Sequence, residues 1–83
     1  MKTYKIEFRR QADRFISSRP IKERIKLLAE IYKLPYSKHV KKMEGYKDRY
    51  RLRVGDFRVI YEKLDQVLII LVLEVGNRGD VYK

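Results

Sequence analysis

Tyr50-Arg-Leu-Arg-Val-Gly-Asp-Phe-Arg-Val-Ile-Tyr61 decides how the rest of this chain is read. Tyr50, Leu52 and Val54 alternate with Arg51 and Arg53, the two-residue period of a strand with one apolar face. Gly55-Asp56 suits a two-residue hairpin turn, which sets Val54 opposite Phe57 and Arg53 opposite Arg58. Like charges facing each other across a strand pair destabilise by up to about 1 kcal/mol. Three arginines on one hairpin face therefore ask for an anion, and phosphate is the obvious one.

Composition narrows the partner. The chain has 83 residues, a formal net charge of +10 and a pI near 10.0, so a single domain over residues 1–83 is expected, with one core and little stability to spare. Such a charge favours nucleic acid, an anionic membrane or an acidic protein. From Leu64 onward the basic residues are Arg78 and Lys83 alone, against Asp65, Glu74 and Asp80, which makes Arg78 a cation in a non-basic neighbourhood. With no cysteine, disulfides and thiolate chemistry are excluded. The longest apolar run, Val67 to Leu73, is far too short to span a bilayer, and a soluble cytoplasmic protein with no membrane partner is expected. Carboxylates show no metal-ligand spacing and no glycine-rich nucleotide loop is present, so neither a metal nor another cofactor is implied.

Outward from the hairpin, Thr3 to Phe8 alternates as a first strand. Ala12, Phe15 and Ile16 fit one face of a short helix over about Arg10 to Ser17. Pro20 to Leu34 predicts a longer helix whose stripe is Ile21, Ile25, Leu28 and Tyr32, widened by Leu27, Ile31 and Leu34. Tyr36 to Asp48 reads as a basic surface loop, and His39 within it as a surface residue with no carboxylate at dyad spacing. The hairpin strands cover about Arg49 to Val54 and Phe57 to Lys63. Val67 to Val75, apolar on both faces, reads as a central strand covered on both sides. Gly76-Asn77-Arg78-Gly79-Asp80 breaks it, and Val81-Tyr82-Lys83 reads as a short edge strand or ordered tail. The order is βααβββ, an α+β domain with two helices packed on a small antiparallel sheet.

That order, the 50–61 hairpin and the Val75-Gly-Asn-Arg-Gly-Asp-Val-Tyr82 ending resemble the RelE/ParE toxin superfamily, and within it the RelE-type ribonuclease branch, over nearly the whole chain. The resemblance implies a RelE-like microbial RNase fold and the toxin of a type II toxin–antitoxin pair. It implies metal-independent cleavage of mRNA on the ribosome, with the RNA 2′-hydroxyl as nucleophile, and hence inhibition of translation. Products would carry a 2′,3′-cyclic phosphate and a 5′-hydroxyl. The family's site falls here on Arg58, Arg78 and Tyr82 as catalytic residues, with Arg51 and Arg53 as RNA-binding residues. Arg58 and Arg78 would stabilise the phosphorane and the leaving oxygen, and Tyr82 would stack on a base or orient the 2′-hydroxyl. Relatives often carry lysine at the positions of Arg51 and Arg53; because arginine does not give up its proton, no general base is visible among these arginines. Tyr82, water or a ribosomal group would then accept the proton. The short C-terminal helix of some relatives is expected to be missing or reduced.

The implied partners are the ribosome, mRNA and an acidic RelB-like antitoxin, with the toxin a monomer when free and a hetero-oligomer with its antitoxin. Apolar residues to spare on the first strand and long helix suit a partly disordered acidic chain that folds as it wraps. Two other functions fit the same fold: a ParE-like toxin that binds and poisons DNA gyrase, and a catalytically silent relative that binds RNA or antitoxin.

Overall fold

Gly55, at φ +57°, takes a left-handed conformation that lets the chain reverse within two residues. The register that results is the expected one, Val54 opposite Phe57 and Arg53 opposite Arg58. In the computed structural model, which describes residues 2–77, the elements are β1 (Lys5–Phe8), α1 (Arg10–Ser18), α2 (Ile21–Ile31), β2 (Val40–Lys42), β3 (Arg49–Val54), β4 (Phe57–Leu64) and β5 (Ile69–Asn77). Arg78, Tyr82 and the short strand expected around Val81 lie outside the described residues.

The strands form one sheet in the order β1-β5-β4-β3-β2. All neighbours are antiparallel except β1 and β5, which run parallel, so the sheet is mixed rather than purely antiparallel. A further strand stands where a loop was expected. Within 36–48, Val40–Lys42 pairs with Leu52, Arg51 and Tyr50 as the edge strand β2. Three residues, two of them lysine, carry no legible alternation, and lysine on an edge is a common guard against unwanted pairing.

Both helices cover one face of the sheet. The core joins Ala12 and Ile16 of α1, Leu27 and Ile31 of α2, and Leu34 beyond it to Leu52, Val54, Phe57, Val59, Tyr61, Ile70, Val72 and Val75. Burying each such aliphatic side chain contributes about 1.5–3 kcal/mol. Helix α2 ends at Ile31, a turn earlier than the periodicity predicts, and its phase also differs. Leu27 and Ile31 face the sheet, whereas Ile21, Ile25 and Tyr32 of the expected main stripe are 57%, 61% and 61% exposed. An apolar set wider than one helix face offers two phases, and packing selects the one that meets Val54 and Leu52.

Strand β5 also departs from expectation. Leu68, at φ +54°, completes the turn after β4, so the strand starts at Ile69 and leaves Val67 exposed. The centre of the sheet is β4; β5 lies beside it, fully covered on the helix side but only half covered on the other. Ile60 opposes Glu74 while Tyr61 opposes Val72, a bulge that leaves Leu73 unpaired in the register. Inward positions consequently switch from Ile70 and Val72 to Val75.

Past Val72, β1 no longer covers β5. Arg9 N–H donates to the Val72 carbonyl at 2.8 Å, the chain turns into α1, and the Gln11 side chain takes over. Its amide donates to the Val75 carbonyl and its oxygen accepts from the Val75 N–H, both at 3.0 Å, as a neighbouring strand would. Gln11→Ala should therefore lower unfolding free energy by about 1–3 kcal/mol, the cost of stranding a backbone pair. Urea denaturation reads this directly, and an unchanged midpoint would refute the strand-mimic role.

Tyr61 is 1% exposed and stacks on Tyr50, with ring centroids 5.6 Å apart. Burial, with a smaller contribution from Tyr50, pushes the Tyr61 phenol well above the usual tyrosine range. At the sheet margin Tyr4 donates to Asp65, and chiefly that bond pushes its phenol up to about 12. A raised folded-state pKa favours the neutral phenol, so this stability is complete below the ordinary tyrosine pKa near 10 and is lost as pH rises above it. Between about pH 9 and about pH 11.5, wild type should lose denaturant resistance more steeply than Tyr61→Phe. Parallel losses in the two proteins would contradict this.

Candidate functional site

The face of the sheet away from the helices carries the charge. Period-two alternation on β3 turns Arg49, Arg51 and Arg53 outward, opposite Glu62, Ile60 and Arg58 of β4. Lys41 of β2 lies opposite Arg51 and joins the same face. The row is graded along the strands. Farthest from the turn, Arg49 Nη2 bonds Glu62 Oε2 at 3.1 Å, and its guanidinium lies 4.3 Å from the Tyr46 ring centroid. Toward the turn no ladder position between Arg51 and Arg58 on β3 or the start of β4 holds a carboxylate; Glu74 of β5, across Ile60, is the nearest in register.

Arg58 is the least accessible of the group. Only 9% of it is exposed, because β4 is the central strand. Its neighbour across β5 is Gly76, which has no side chain to fill that place. Ile60, on the same outward face, is 5% exposed, as expected where arginine stems cover apolar surface while their heads reach water. Arg58 thus forms the floor of a site whose walls are Arg51 and the exposed Arg53.

An open groove of about 380 Å³ brings these residues together, lined by Arg51, Arg53 and Arg58 with His39, Val40 and Lys41. Of the five site residues expected, the structure gathers Arg51, Arg53 and Arg58. The other two, Arg78 and Tyr82, lie outside the described residues. His39 was not expected there. Its entry follows from β2, because the Arg53 N–H donates to the His39 carbonyl at 3.0 Å and extends the β2–β3 ladder by one residue. Pairing of a three-residue edge strand is a tertiary fact, and no local pattern announces it.

Guanidinium groups in this arrangement can grip a phosphodiester by forked, charge-assisted bonds and stabilise added negative charge on it. As acceptors of protons they are useless, since arginine keeps its proton at any ordinary pH.

Two helices backing one face of a five-stranded mixed sheet define an α+β fold that several solved structures share. A RelE from Pyrococcus horikoshii, solved in complex with RelB, is 31% identical, with a TM-score of 0.76 over 95% of this chain and 99% of that one. A toxin–antitoxin complex of Mycobacterium tuberculosis, RelBE2, is similar in fold, with a TM-score of 0.80 over 96% of this chain and 97% of that chain at 20% identity. An Escherichia coli protein named for its likeness to RelE toxins is 47% identical over 45 residues, 49% of this chain and 47% of that protein. The aligned region thus spans about half the length of that curated relative. The ParE toxin family of type II toxin–antitoxin systems matches over residues 3–82, and this chain belongs to it.

The Arg53–Arg58 juxtaposition generates a test of its own. Arg53→Glu replaces a like pair by an opposite one and should raise unfolding free energy by up to about 1 kcal/mol, while weakening binding to single-stranded RNA. Chemical denaturation and a filter-binding titration of the same protein check both halves. Lower stability with unchanged RNA affinity would show that the pair is not a strained anion site.

Proposed function

We propose that this type II toxin is a metal-independent endoribonuclease that cuts mRNA on the ribosome, with the RNA 2′-hydroxyl attacking the adjacent phosphorus. The observation that carries this reading is the convergence of Arg51, Arg53 and Arg58 on one groove, with Arg53 directly opposite Arg58. In it, Arg51 and Arg53 hold the message backbone, and Arg58 on the floor takes up charge on the phosphorane. Arg78 would serve the leaving oxygen, and Tyr82 would orient the nucleotide beside the scissile bond.

The partner reading rests on a different surface. Ile21, Ile25 and Tyr32 leave an apolar strip on α2, and the Tyr32 ring meets Phe8 of β1 edge-on at 6.3 Å. An acidic RelB-like antitoxin with an amphipathic segment would cover the strip and offset the +10 charge. RelE proteins of similar fold have been solved with RelB bound.

The family's ParE character favours one competitor, a toxin that poisons gyrase and leaves RNA intact. The deciding experiment incubates the protein with ribosomes programmed by a defined mRNA and maps new ends. Arg58→Lys, which keeps the charge but loses the fork, and Arg78→Ala are run beside it, with a ribosome-free control. New 5′-hydroxyl ends that require ribosomes, slowed by about 10²-fold or more in each variant, are expected. An intact message together with blocked DNA supercoiling would overturn the nuclease reading.

A further inference from the structure

We propose that His39 is the proton acceptor of this site, taking the 2′-hydroxyl proton as the nucleophile attacks; this rests on the ribonuclease reading above. Among the described residues lining the groove, Arg51, Arg53 and Arg58 present only donors and keep their protons, while Lys41 is a cation that would have to lose its proton before it could accept one. Val40 contributes no polar group. Among the described lining residues His39 is therefore the side chain that offers a nitrogen lone pair without first giving up a proton far from neutral pH.

Placement supports the role. The His39 carbonyl accepts from Arg53, and two residues earlier the Ser37 hydroxyl donates to the Glu30 carbonyl at 2.9 Å. The backbone on both sides of His39 is thus tied down, one end to the site strand and the other to α2. The imidazole is exposed, as a group that must meet an incoming RNA has to be. It stands between two recesses, because His39 and Arg53 also line the neighbouring groove of about 450 Å³ beside α2. From that side Lys26, Glu30, Lys33, Tyr36 and Lys38 face it. Glu30 is engaged by Lys33 at 3.0 Å, so the carboxylate lining that neighbouring groove already serves a cation.

The step balances without a co-reactant. Imidazole removes the 2′-proton as the 2′-oxygen bonds to phosphorus, and the arginines take up the extra charge on the non-bridging oxygens. The P–O5′ bond breaks, the departing oxygen takes a proton from water, and imidazolium returns its proton to solvent. Products are a 2′,3′-cyclic phosphate and a 5′-hydroxyl. Arginines in place of lysines then have a rationale: they bind and stabilise charge, while the proton goes to a flanking histidine.

The test measures single-turnover cleavage of mRNA on programmed ribosomes, at saturating toxin, across pH for wild type, His39→Gln and His39→Ala. Wild type should show a rate rising with pH through an acidic limb. Both variants should lose about 10²- to 10⁴-fold in saturating rate, with the limb abolished and half-saturation little changed. Replacing the scissile 5′-oxygen by sulfur, a leaving group that needs no proton, should leave the defect in place. Rescue by the sulfur substrate would make His39 an acid and overturn the assignment. So would variants that keep the wild-type rate and limb, or that lose only half-saturation. If wild type itself leaves the message uncut, the ribonuclease reading fails first, and the uncut wild-type lane records that separately from any His39 result.

Discussion

Register between β3 and β4 is the constraint on which the rest depends. Side chains alternate with a period of two, so slipping this pair by one residue would send Val59 and Tyr61 to solvent and Arg58 into the core. Burial of Leu52, Val54, Phe57, Val59 and Tyr61 forbids that slip, and the two-residue turn at Gly55-Asp56 enforces the same alignment locally. The charged face follows from the apolar one. Arg51, Arg53 and Arg58 stand together because their neighbours in sequence must face the helices, and the like-charge contact is carried by a core worth several times its cost.

The bulge on β5 and the Gln11 clamp extend this logic. A strand that changes inward parity at Leu73 can pack Ile70 and Val72 under one part of the helical layer and Val75 under another. It also carries the chain to Gly76 opposite Arg58, a ladder position without a side chain. Gln11 makes this affordable by closing the exposed ladder of Val75 from α1. Helix, bulge and groove thus meet within residues 73–76 of β5, beside Arg58, the buried arginine among the described residues.

Local sequence carried the hairpin, its register and the two faces it creates, because alternation and turn chemistry act over a few residues. The limits of α1 were legible for the same reason. Nonlocal choices were not. The α2 segment holds apolar residues enough for two helical phases, and only the sheet decides that Leu27 and Ile31 go inward while Ile21 and Ile25 stay out. The parallel pairing of β1 with β5 joins strands some sixty residues apart, and β2 is three residues long. Of the site, Arg51, Arg53 and Arg58 could be read from the hairpin; the depth of Arg58 needs the position of β4 in the sheet, and the arrival of His39 needs β2.

Arginine and lysine are not equivalent in such a groove, and the difference bears on how the work is divided. A lysine among cations can shed its proton and act as a base, whereas arginines fix the charge of the site at every pH at which the protein is folded. On the ribonuclease reading, Arg51, Arg53 and Arg58 would separate gripping from proton transfer. Grip would then be set by hairpin register, which the core holds, and proton transfer would fall to an acceptor at the edge of the sheet. That edge is β2, joined to the sheet by pairing with β3 alone and reached through a loop anchored on α2. A change of the His39 side chain could then alter the acceptor while the arginines of β3 and β4 keep their places, because the two rest on different strands.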